Sequence, residues 1–222
     1  MAWFERDIVD FFVELEANND RAWFERNKKR YERSVKGPME IFAGEMIGRM
    51  QAVDPGISMT PKEAVFRIYR DVRFSKDKSP YKTNAGLYIS SGGKLHAGRP
   101  GVYFHVDART MGIASGYYML EPNHIQAIRT HISKHLKEFS QLLADPDFKK
   151  AFGTVIGEKN KVLPQEFRAA AVEQPLIYNK QFYYWAEFDA SESLRDDLAD
   201  MVMAHVSAAE GMNAFLTAAL VA

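Results

Sequence analysis

The hydrophobic period of this chain changes twice, and that change limits its folds more than any other feature. Up to about residue 50, apolar side chains recur every three to four positions, the helical period. From about 65 to 120 they alternate, as in strands that bury one face. From 122 the helical period returns. Segregation of helices from strands in this way predicts an α+β fold.

The spacing predicts a helix over 4–16, with Phe4, Ile8, Phe11, Phe12 and Leu15 on one face. "ANND" ends it, and Asp20 is placed to cap the next helix, whose stripe is Trp23, Phe24, Tyr31 and Val35. Gly37-Pro38 is expected to interrupt that helix and open a third, built on Ile41, Phe42, Met46 and Met50 and stopped by "VDPG". Strands are expected at 65–74, 84–91, 101–107 and 111–120, joined by turn-rich segments, with "QFYYWAEF" at 181–188 as another. This makes a mainly antiparallel, curved sheet of about five strands. A helix over 122–143 carries Ile125, Ile128, Ile132, Leu136 and Phe139. A second, over 191–220 with Ser191 as cap, completes a set of C-terminal helices packed on the sheet. No linker, low-complexity stretch or internal repeat divides the 222 residues, so one domain spanning 1–222 is expected.

Composition narrows the function classes. The formal net charge is zero, unlike that of a general nucleic-acid coat protein. Cysteine is absent, which removes disulfides, thiolate nucleophiles and cysteine metal sites and fits a reducing cytoplasm. Glu5, Arg6, Asp7 and Asp10 are incompatible with a signal peptide, and no apolar run suits a membrane span, so a cytoplasmic protein without a membrane partner is expected.

Against that neutral background, "FRIYRDVRFSKDKSPYKTN" at 66–84 holds six cations, Arg67, Arg70, Arg73, Lys76, Lys78 and Lys82, against two carboxylates, Asp71 and Asp77, leaving a local charge of +4. If 66–74 is a strand, one face holds Phe66, Ile68, Arg70, Val72 and Phe74, and the other Arg67, Tyr69, Asp71 and Arg73. Arg70 then stands on the core-like face and needs a counter-charge, either an internal carboxylate or an anionic ligand. The following loop adds Ser75 and Ser79 hydroxyls, Pro80 and three lysines, the groups that hold phosphate or carboxylate. The first reading is a site for a small anionic, phosphorylated ligand. Arg67, Arg70, Arg73 and Ser75 hold it, Lys78 and Lys82 close over it, and Tyr81, Tyr103 and His105 orient it. The second is a nucleic-acid module whose cations track a backbone while Tyr183, Tyr184 or Trp185 stack on bases. The third is an internal salt-bridge lattice.

Candidates for chemistry are few. His105 alternates with Tyr103 along "VYFHVDA"; it is a packed core histidine or a general base beside the arginines. Asp71 and Asp77 beside Lys78 resemble a nuclease pair but lack a third carboxylate at a recognisable spacing. His124, His131 and His135 line one edge of the 122–143 helix, read as a solvated border, and no metal site is expected. "SSGGKL" lacks the phosphate-loop spacing, so 91–99 is expected to be a mobile hairpin tip outside the site. Cofactor and oligomeric state have no signature.

The central segment resembles the signature of a mostly bacterial family of uncharacterised proteins, domain of unknown function 2461. "LEANNDRAWFERNKKRYE", "GVYFHVDA", "GIASGYYM", "EPNHIQAIR" and "PLIYNKQFYYW" match the same pattern, so the resemblance covers nearly the whole chain. It implies one full-length domain and brings no activity.

Overall fold

The computed structural model describes residues 2–93 and 100–221. The fold is α+β. N-terminal helices α1 (Asp7–Ala17), α2 (Arg21–Tyr31), α3 (Gly37–Gln51) and the one-turn α4 (Pro61–Ala64) precede strands β1 (Asn84–Ile89), β2 (Val102–Asp107) and β3 (Thr110–Tyr117). Helices α5 (Pro122–Lys134), α6 (Leu136–Ala144), α7 (Pro146–Phe152) and α8 (Arg168–Glu173) follow, then β4 (Phe182–Asp189) and α9 (Leu198–Val221). The four strands form one antiparallel sheet in the order β1-β2-β3-β4.

Two compact units divide the chain. The first comprises Met1–Lys94, Tyr103–Ile113 and Glu187–Met203. Its core is aromatic: Phe4, Phe42 and Phe104 pack with ring centroids 5.1–6.1 Å apart, and Phe11 meets Trp23 at 5.5 Å. Asp20 caps α2 by accepting the Trp23 N–H at 2.9 Å. Arg30 fixes α2 to α1 through Asp7 and Glu14.

The second unit comprises Leu95–Val102, Ala114–Ala186 and Ala204–Ala222. Within it α9 packs on the strands: Asn213 donates to Ser115 Oγ at 3.0 Å, and Thr217 Oγ1 lies 2.9 Å from the Tyr117 hydroxyl. Phe148 and Phe152 pack at 5.0 Å from the buried Tyr184 ring.

Four local expectations need correction. Gly37-Pro38 does not interrupt the helix. A π-helical turn, Glu32–Lys36, carries the chain from α2 into α3, and the Gly37 N–H bonds the Glu32 carbonyl. The wider turn accommodates the proline ring and its missing donor. The helix over 122–143 is broken at His135 (φ −126°, ψ 39°). The cap near 190 is Asp189, which accepts the Ser191 N–H at 2.9 Å, so Ser191 is the capped residue.

The fourth correction concerns 65–74, which is not a ladder strand. It runs antiparallel to 80–87 but pairs only at Val65 with Leu87 and Tyr69 with Tyr81. Asp71 and Asp77 take the amides of Arg73 (3.2 Å) and Ser79 (2.9 Å), and these local side-chain turns compete with sheet pairing. The sheet therefore has four strands. The inward face reaches Val72, which is half-buried like Arg70, and Phe74 is 96% exposed.

Candidate anion-binding site

The site is the irregular two-stranded segment 65–87 and the end of α1 beside it. Lys82 N–H donates to Ile68 O at 2.7 Å and Arg70 N–H to Pro80 O at 2.9 Å, which fixes the register. Asn19 clamps the segment: its Nδ2 donates to Tyr81 O at 3.0 Å and its Oδ1 accepts from Tyr81 N–H at 3.1 Å. The Tyr81 ring stacks on Phe24 with centroids 4.0 Å apart.

Two concave basins open on this segment and share Asn19 and Ser79. One, of about 480 Å³, is lined by Glu16, Arg70, Asp77, Tyr81, Lys82 and Asn84 among others. Its neighbour, of about 460 Å³, is lined by Asp20, Arg21, Val72, Lys78 and Pro80. Lys78 is exposed, its Nζ donating to Val72 O at 2.9 Å.

Most charges of the first basin are matched. Arg70 is ion-paired with Asp77, which also accepts from the Ser79 N–H and hydroxyl. Those three donors hold the Asp77 carboxyl far below its usual range, Arg70 being the largest cause. Glu16 is held by both guanidinium arms of Arg109, at 2.8 and 3.0 Å. Lys82 is the exception. Among the described residues no carboxylate pairs with it, and its ammonium sits 5.2 Å over the Phe66 ring. Burial, reinforced by the like charge of Arg67, holds it below the ordinary lysine range.

The remaining sequence candidates stand elsewhere. Arg73 is exposed and committed to Asp71 at 2.6 Å, which brings the Asp71 carboxyl down to about 2. Arg67 is exposed and Ser75 half-buried, and neither lines a basin. Tyr103 packs on Phe66 and His105, at 6.1 and 5.7 Å. His105 is 8% exposed, with Asp107 at 4.0 Å; burial lowers its pKa against the opposing pull of Asp107 and Glu187. Neither Tyr103 nor His105 lines the basins. Of the proposed base stackers, Tyr184 is buried, while Tyr183 and Trp185 are half-buried on the opposite face of β4.

His131 and His135 lie with ring centroids 4.5 Å apart, and His135 meets Glu138 at 3.5 Å. Among the described residues no three His, Cys, Asp or Glu side chains gather as a metal site. Residues 94–99 of the expected hairpin tip lie outside the described residues.

Sequence reasoning missed Asn19, Glu16 and Asn84. Asn19 meets Tyr81 across 62 positions, a contact without a local signal. The "DVR" and "DKS" turns were readable, because an aspartate two residues before a free amide is a common turn former.

The fold and basin define an α+β protein in which, among the described residues, Lys82 is a cation without a carboxylate partner in an open, polar depression. The chain belongs to the family described as Conserved hypothetical protein (DUF2461), whose model matches residues 7–215. No curated protein matches it. Among the described residues, no helix is long and apolar enough to cross a membrane.

Proposed function

We propose that the protein binds a small anionic, phosphorylated ligand in the basin beside Arg70 and Lys82. The half-buried Lys82 ammonium carries this reading: its charge has no carboxylate partner among the described residues and borders open space. Arg70 offers the rest of its guanidinium fork, and Ser79 and Asn84 line the same space. The absence of cysteine favours a cytoplasmic setting.

Inorganic phosphate titrated into the full chain and followed by thermal shift tests the reading. Wild type is expected to respond and Lys82→Met to lose the response. The substitution should raise Tm slightly. A lysine pKa lowered by folding means that the charged form costs stability at neutral pH, a cost that declines as pH rises through the folded value. Phosphate affinity should likewise fall on the alkaline side, and at a lower pH than exposed lysines titrate. An unchanged phosphate response in Lys82→Met would remove the basis of the proposal.

Arg70→Met separates ligand contact from lattice. The Arg70–Asp77 pair is solvent-accessible, so its loss should move Tm little while weakening phosphate binding. A large fall in Tm without ligand would instead favour the salt-bridge lattice.

One observation favours the nucleic-acid reading: Phe74 is 96% exposed, with the Arg73 guanidinium 5.9 Å from its ring centroid. Oligonucleotide titration at two salt concentrations distinguishes the readings. A backbone groove loses log affinity with log salt at a slope of about −0.7 to −0.9 per phosphate. We expect weak binding with a shallow slope, because Arg70 and Arg73 are already paired. A steep slope, with affinity that weakens in Phe74→Ala, would favour the groove.

A further inference from the structure

We propose that Lys82 is a nucleophilic amine and that its basin takes a small carbonyl compound bearing one anionic group, captured as an imine. This rests on the anion-binding reading and names the ligand class. An amine attacks a carbonyl only when unprotonated, and two features of the site favour that form. The side chain is half-buried, and no carboxylate among the described residues supplies a counter-charge. Arg67 adds like charge nearby, and the ammonium is accordingly held below its ordinary range. Attraction to the Phe66 face opposes this but does not remove the desolvation.

The register supplies the second half of the site. With Tyr69 paired to Tyr81, Arg70 and Lys82 fall on the same side of the two-stranded segment. They are diagonal neighbours, with backbones roughly 7 Å apart. A small molecule with a carbonyl one to three bonds from a carboxylate or phosphate fits between the two side chains, its anion toward Arg70 and its carbonyl carbon toward Lys82 Nζ. The main chain at Lys82 is pinned by its bond to Ile68 O, so the amine is presented from a fixed base.

The step balances without an oxidant or reductant. The lone pair of neutral Nζ forms the C–N bond as the carbonyl π pair moves to oxygen. The proton released by nitrogen passes to that oxygen, giving a carbinolamine. Departure of the hydroxyl with a second proton, as water, leaves the C=N bond. The basin is open to solvent, which can take up and return these protons. The sum is amine plus carbonyl to imine plus water.

Reductive trapping tests this. The full chain is incubated at neutral pH with glyoxylate and sodium cyanoborohydride, and modified lysines are mapped by mass spectrometry. Propanal serves as the neutral control, and phosphate response is measured in parallel. Lys82 is expected to react at least about tenfold faster than the exposed Lys28 and Lys29 with glyoxylate. That preference should weaken with propanal and with added phosphate. Lys82→Arg should keep its circular dichroism spectrum while giving no adduct at that position. Labelling of Lys82 no faster than of Lys28, with phosphate still bound, overturns the imine inference and leaves anion binding standing. Equal preference with propanal overturns the anionic requirement. Absence of both selective labelling and phosphate response overturns both readings.

Discussion

Arg129→Met is expected to lower stability by roughly 3 kcal/mol or more, because it removes the guanidinium donors of the buried Ile177 and Asn179 carbonyls. Arg129 is only 4% exposed. Its Nε donates to Ile177 O at 2.8 Å and one terminal nitrogen to Asn179 O at 3.0 Å and Tyr178 O at 3.4 Å. These oxygens end the 3₁₀ turn Pro175–Tyr178, which leads into β4. A guanidinium fork fits this place, since one planar group reaches several convergent acceptors. Among the described residues no carboxylate pairs with it, so the carbonyl dipoles carry the compensation. Burial pulls its pKa down, but arginine starts far above neutrality and the charge persists. Arg129→Lys should also destabilise, because a single ammonium cannot reproduce the fork. Urea midpoints, with m values to confirm a two-state transition, measure the loss. A midpoint for Arg129→Met equal to that of the exposed-site control Arg67→Met would show that the carbonyls find other donors.

Arg129 also shows where legibility in the sequence stops. It lies inside the expected helix, between Ile128 and Ile132 of the predicted stripe, and periodicity alone gave it no role. Its acceptors lie 48 to 50 positions away, beyond any local pattern. What was legible was local. Asp20 caps α2 as its position implies, and the short turn at "DAR" joins β2 to β3. The 65–74 segment shows both outcomes. Alternation correctly separates buried Ile68 from exposed Arg67 and Tyr69, then fails at Phe74, because Asp71 has already turned the chain. In the basin, the cations were visible as charges. Which one lacked a partner was not, because Arg70 is matched by Asp77 only through the turn at Ser79. Lys82 stands apart only once the fold has placed Phe66 under it.

Gly116→Ala should be as damaging, on the order of 3–5 kcal/mol, from two additive causes. Gly116 in β3 has φ of +92°, a conformation in which a Cβ strains the backbone. An added Cβ would also stand 2.5 Å from Phe182 O, 2.8 Å from Tyr183 Cα and 3.1 Å from Tyr184 Cε1. The first two are backbone atoms of β4, so no rotamer change relieves the contact; β3 and β4 must separate. Tyr184 then loses its fixed position against Phe148, Phe152 and the Asn213 hydrogen bond. The two causes can be separated with Gly153→Ala. Gly153 has φ of +76°, but nothing lies within 4 Å of its added Cβ. That variant carries the conformational cost alone, about 1 kcal/mol. The difference between the two denaturation midpoints therefore reports the clash with β4. Near-equal losses would mean that β3 and β4 approach less closely at Gly116 than these distances require.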